Sequence, residues 1–168
     1  NRGMENHPII GFNYRISELH AAVGAAQTRK VPAIRNANLK NKAFLQKHLS
    51  KNAAISFSKL GDNNGDSGTF LNILMSDTET AKRTVDEFNK AGVGGFNYWF
   101  TNMYHFINQW DHIKNLNTAS KLPIQVLGAP QDYNNLHLPK TQEVVGRLIS
   151  FGIRCTWTEA QMTELANS

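Results

Sequence analysis

Residues 61–68, Gly-Asp-Asn-Asn-Gly-Asp-Ser-Gly, concentrate the oxygen-bearing side chains that suit a hard cation. The run lacks the flanking helices and the glutamate at position twelve of an EF-hand, and no Lys-Ser/Thr pair follows its second glycine as a phosphate loop requires. It reads instead as a hairpin connection. Lys59 beside it is an amine that could form a Schiff base, yet nothing nearby in the chain would desolvate it. His105 and His112 lie seven residues apart, two helical turns, whereas helical metal sites use a spacing of three or four; with no third ligand evident, no metal site is assigned. Tyr98, Trp99, Phe100, Tyr104, His105, Phe106 and Trp110 form the densest aromatic cluster. Two readings stay open for it: core filling beside a strand, or the wall of a ligand pocket with polar tips at Tyr98 and His105. Cys155 has neither a helix N-terminus nor a histidine beside it and reads as a core residue.

The elements that must position these residues follow from periodicity. Residues 1–16 hold Gly3, Pro8 and Gly11 without a period and read as an extended arm. Ser17 is a suitable N-cap for a helix with Leu19, Ala22, Val23 and Ala26 on one face. Its crowd of small residues (Ala21, Ala22, Gly24, Ala25 and Ala26) would let another backbone approach, which points to a buried interface helix. Pro32 should kink or restart the helix before a second amphipathic stretch through Ile34, Leu39, Phe44, Leu45 and Leu49. Strands are expected at residues 54–58 and 69–75, a helix at 79–90 ended by Gly92, and a third strand at 94–99. A short helix at 106–116, a Pro-punctuated connection at 118–133, a helix at 141–149, a short strand at 152–156 and a last helix at 158–166 complete the pattern. The sum is an α+β fold, a small antiparallel sheet covered by helices and preceded by a long bent helix. We divide it into an arm and kinked helix, residues 1–51, and a small α+β domain, residues 52–168.

Composition bounds the rest. With 40% hydrophobic and 18% charged residues among 168, the chain is of the soluble globular kind. Its apolar runs fall far short of the ~20 residues that span a bilayer, so no membrane association is expected. A signal-peptide pattern is lacking, and a single cysteine suits the cytoplasm. The net charge of +5 is dispersed, with no run or motif of the nucleic-acid-binding type; it fits an anionic small molecule equally well. A start without methionine suggests a piece of something longer.

One stretch is more specific than any of these. Residues 11–30 read GFNYRISELHAAVGAAQTRK, followed by Ile34 and Arg35. The stretch resembles the Gly-x-Asn-Tyr-Arg-Met-Ser-Glu-Leu-x-Ala-Ala-x-Gly-x-x-Gln signature of the DegT/DnrJ/EryC1/StrS sugar aminotransferases, with Ile16 for Met and His20 where Gln is frequent. Residues 138–156 resemble the family's passage from a helix into its last strand, and Thr158-Glu159-Ala160-Gln161 its final helix start. Residues 98–116 and the tail LPKTQEVVGRLISFGIRCTWTE look most like the branch that makes 8-amino-3,8-dideoxy-manno-octulosonate.

The resemblance implies the smaller, C-terminal domain of a type I aminotransferase fold, with the large N-terminal domain missing. It also implies pyridoxal 5'-phosphate, a homodimer, and amino transfer, usually from glutamate, to a keto or aldehyde sugar for cell-surface polysaccharide such as lipopolysaccharide. In this family the cofactor lysine lies upstream of the Asn-Tyr-Arg motif, before Gly-Glu-Gly-Gly; no such segment occurs here, so no catalytic residue is assigned in this chain. Asn13 matches the asparagine that reaches the cofactor phosphate of the neighbouring subunit, and Arg15 the motif arginine whose fork suits phosphate or carboxylate. Tyr14, Tyr98 and His105 are the candidate substrate contacts. Alternatives are a dehydratase of the same fold, with histidine in place of the lysine, and a non-catalytic oligomerisation or binding module.

Overall fold

The computed structural model describes residues 16–102, 105–127 and 132–167. The chain divides into two compact units, Asn1–Ile34 and Arg35–Ser168. In the first, α1 (Glu18–Thr28) begins where the Ser17 hydroxyl accepts from the His20 amide, the cap expected from its sequence. A turn at Arg29 and Lys30 ends it, and α2 (Val31–Leu49) starts with Pro32 in its first turn, where a missing N–H costs nothing. Residues 16–34 are exposed throughout, Leu19 and Val23 of α1 included.

The second unit is built on a four-stranded antiparallel sheet in the order β1-β2-β4-β3, formed by β1 (Ser56–Phe57), β2 (Phe70–Leu74), β3 (Phe96–Tyr98) and β4 (Leu148–Gly152). Leu71, Ile73, Tyr98, Ile149 and Phe151 alternate onto one face. Against it pack Leu45 of α2, Ala81 and Phe88 of α3 (Thr78–Ala91), and Met162 of α7 (Glu159–Asn167). Between β3 and β4 come two short helices, α4 (Asp111–Lys114) and α5 (Pro123–Val126), two turns of 3-10 helix, Ile107–Gln109 and Tyr133–Asn135, and α6 (Pro139–Arg147). This is the expected α+β architecture.

Two expectations shift. The final strand lies at 148–152, not 152–156, and α6 stops at Arg147. Val144, Val145, Leu148 and Ile149 mimic a helical period, but Leu148–Gly152 is the run that pairs with β2 on one side and β3 on the other, with Ile149 and Phe151 on the helix-covered face. The expected helix over 106–116 is instead a 3-10 turn followed by one turn of α-helix.

The 61–68 loop is tied down by its own acids. Asp62 Oδ1 accepts from Asn64 N–H at 2.8 Å and Asp66 Oδ1 from Gly68 N–H at 2.9 Å. Lys42 Nζ sits 2.7 Å from Asp66 Oδ2, and Arg35 donates to the carbonyls of Asp66 and Asn64. The carboxylates serve a hairpin connection clamped onto α2. At the far side of β2, Asp77 caps α3: its carboxylate accepts from the Thr80 amide at 2.7 Å and from the Ser76 hydroxyl at 2.8 Å, which holds its pKa down to about 2. Asp66 is lowered too, first by the Lys42 bond and then by the Gly68 amide.

A folded pKa below the unfolded one adds stability above the ordinary carboxylate value and loses it as acid protonates the folded state. Urea midpoints of the native protein and of Asp77→Ala should therefore converge as pH falls from 3.8 towards about 2. A gap constant across that window would mean that the charge of the cap contributes nothing.

Candidate functional site

The aromatic cluster begins on β3, and strand alternation splits it. Tyr98 points to the helix-covered face, where it is 7% exposed and its hydroxyl donates to the Gly146 carbonyl at 2.7 Å. Burial raises its pKa, with the Glu79 charge adding to the effect. Phe100 leans on it with ring centroids 6.0 Å apart, and Phe106 stacks on Phe100 at 5.7 Å. The Gln109 amide donates to the Phe100 carbonyl and closes this column. Trp110 stacks on His112 at 6.2 Å, in a further pair.

Trp99 goes to the other side of the sheet. Its indole Nε1–H donates to Ser150 Oγ at 2.7 Å, and Ser150 in turn donates to Asn72 Oδ1 at 2.7 Å. The chain of bonds crosses from the end of β3 over β4 to β2, where Asn72 and Ser150 are register partners. The edge of Phe70 meets the indole at 6.4 Å, and His105 meets it at 4.2 Å with the rings inclined by 60°. His105 is exposed and set by Asn102: the His105 amide donates to Asn102 Oδ1 at 3.3 Å, and Asn102 Nδ2 lies 2.9 Å from His105 Nδ1.

The sites expected from sequence thus separate. Trp99 and His105 come together, with Asn97 exposed on β3 itself; Tyr98 and Phe106 lie in the core. Asn13, Tyr14, Arg15 and Tyr104 fall outside the described residues. Ser150 and Asn72 escaped sequence reasoning. Their signal was a single polar residue inside each of two apolar runs, Leu-Ile-Ser-Phe and Phe-Leu-Asn-Ile-Leu.

Aromatic faces beside amide and imidazole tips suit a ligand with both C–H faces and hydroxyls, as a sugar has. A cavity of about 330 Å3 inside the second unit, lined by Leu45, Leu49, Phe88, Phe151 and Leu165 among others, is mainly apolar, with Asn52, Thr84 and Asn167 as its polar lining. Among the described residues no three His, Cys, Asp or Glu side chains converge to hold a metal ion, and no helix is long and apolar enough to cross a membrane. The described lysines are exposed except Lys42, which is taken by Asp66, and Lys114, which leans on Asp111.

Comparison with known proteins matches the whole chain, residues 1–168, to the DegT/DnrJ/EryC1/StrS aminotransferase family. Among solved structures the chain resembles Helicobacter pylori PseC, an aminotransferase involved in the biosynthesis of pseudoaminic acid, with a TM-score of 0.64 at 16% identity. The alignment covers 99% of this chain and 40% of PseC. At that identity the likeness speaks for the fold, which is an aminotransferase fold.

Proposed function

Because the chain belongs to the DegT/DnrJ/EryC1/StrS aminotransferase family, we propose that it is the C-terminal part of an enzyme moving an amino group from glutamate to the keto or aldehyde carbon of a sugar. The observation that carries this reading is the family match over every residue, within which the Asn13-Tyr14-Arg15 motif stands intact. The family is pyridoxal-phosphate dependent, and the cofactor, when bound, is the electron sink for the exchange. In this proposal the Asn13 amide and the Arg15 guanidinium hold its phosphate. The large domain that carries the lysine lies upstream, in keeping with a chain spanning 40% of the length of PseC.

Residues 1–51 form the arm and interface helix of the division we propose, and 52–168 the small domain. The exposed Leu19 and Val23 of α1, beside its alanines, supply the surface for that large domain or a second copy in a homodimer. The cytoplasm is the proposed location.

We place the sugar at Trp99 and His105, with Tyr98 supporting from the core through Phe100, and keep Tyr14 as a further substrate contact. An 8-oxo octulosonate is the substrate we favour, since its carboxylate gives the His105 imidazole a hydrogen-bonding partner. In the full-length enzyme, with glutamate as donor, His105→Asn should raise the KM for that sugar roughly tenfold, the worth of one charge-assisted hydrogen bond. Folding and the cofactor spectrum should hold, because the side chain is exposed. Lost thermal stability at an unchanged KM would return the segment to a purely structural role.

A further inference from the structure

Ser150 occupies the middle of β4, the strand that β2 and β3 flank on both sides, and is 1% exposed. A hydroxyl buried there is unfavourable unless its bonds are made. Both are made, and both lead away from the core. Oγ accepts from Trp99 Nε1 and donates to Asn72 Oδ1, each at 2.7 Å. An indole has a single N–H and two side-chain torsions, so one bond at that edge and one ring contact fix its plane. The ring contact is Phe70, and against the plane so fixed stands His105 at 4.2 Å.

We infer that Ser150 is a positioning residue for the sugar site: its bridge between Asn72 and Trp99 sets the indole surface that orients the His105 imidazole. The inference rests on the reading that places the sugar at His105. Asn102 holds that histidine from its own loop, and Trp99 holds it from the sheet. The first contact is local in sequence; the second ties the ring to the sheet. Binding groups work when their supporting shell locks them within a fraction of an ångström, and a buried, fully bonded serine is such a support. Chains of hydrogen bonds also polarise one another, so removing the middle member weakens more than one bond.

The test uses the full-length enzyme with glutamate and an 8-oxo octulosonate as the probe sugar. Two readouts are taken on Ser150→Ala: the NMR shift of the His105 imidazole, which feels the ring current of Trp99, and the KM for the sugar. The imidazole resonance should move, and KM should rise about five- to tenfold with kcat changed less than about twofold. In a His105→Asn background Ser150→Ala should add less to KM than in the native enzyme, since part of its effect passes through that group. Ser150→Cys keeps a side chain of similar size with only a weak S–H donor and acceptor; it should reproduce both effects, and it stands in if Ser150→Ala does not fold.

An unmoved imidazole resonance overturns the inference. So does a KM effect that persists undiminished in the His105→Asn background. If His105→Asn raises KM while Ser150→Ala and Ser150→Cys do not, the positioning role falls and the sugar-site reading stands. If His105→Asn itself leaves KM unchanged, the sugar-site reading falls and takes this inference with it.

Discussion

Gly68→Ala should cost the folded protein about 3–5 kcal/mol, and Gly68→Val more, because two independent obstacles meet at one residue. Its φ of +70° lies in the left-handed region, which L side chains enter at a cost of roughly 1–2 kcal/mol. A Cβ placed there would also stand 2.8 Å from the Leu39 amide nitrogen and 3.0 Å from the Asn38 carbonyl carbon. Both atoms are backbone of α2 and cannot swing aside. Gly92 supplies the control: its φ is +71°, yet nothing lies within 4 Å of its added Cβ. Gly92→Ala should therefore show the conformational cost alone, about 1 kcal/mol. Urea unfolding of the two alanine variants separates the terms. Equal losses would mean that the 61–68 loop does not lie against α2 as described.

The second large effect is an all-or-none one. Treated with pyridoxal phosphate and borohydride, the 168-residue chain should yield no stoichiometric adduct at a single lysine, and it should show no transaminase activity. A Schiff-base lysine is activated by desolvation or by a neighbouring cation. Lys59 is exposed, and the half-buried Lys42 is neutralised by Asp66 at 2.7 Å. Scattered, substoichiometric labelling of surface amines is the expected background. One fully labelled lysine, mapped by peptide mass, would show that this chain carries its own cofactor attachment and that the upstream assignment is wrong.

Much of the architecture was legible because its signals are local. Ser17 and Asp77 announce helix starts through side chains that reach amides three residues on, and Gly92 announces a stop through its own φ. The Asp-rich loop read correctly as a connection because no acidic ligand follows at the required spacing. What was not legible was pairing. Val144 to Ile149 keep a helical rhythm until Leu148 becomes a strand, and only its neighbours β2 and β3, distant in sequence, decide that. The same misplacement hid the site. With β4 set four residues late, Ser150 had no register with Asn72, and the split of Tyr98 from Trp99 across the sheet had no frame. Residue types pointed to the aromatic segment; the sheet decided which of its rings face outward.

The strand order also has a bearing on how the protein is made. β3 pairs only with β4, and β4 lies between β2 and β3 although it is the last strand to be synthesised. While a ribosome is still adding residues 99–147, the β1–β2 hairpin and α3 can form, but β2 presents an open edge and β3 has no neighbour at all. Closure waits for a segment that must insert between two strands already translated, a long-range contact of the slow kind. Nascent chains of this protein therefore pass through a window in which two unpaired strand edges await the same late arrival, and that window is where a holding chaperone would act.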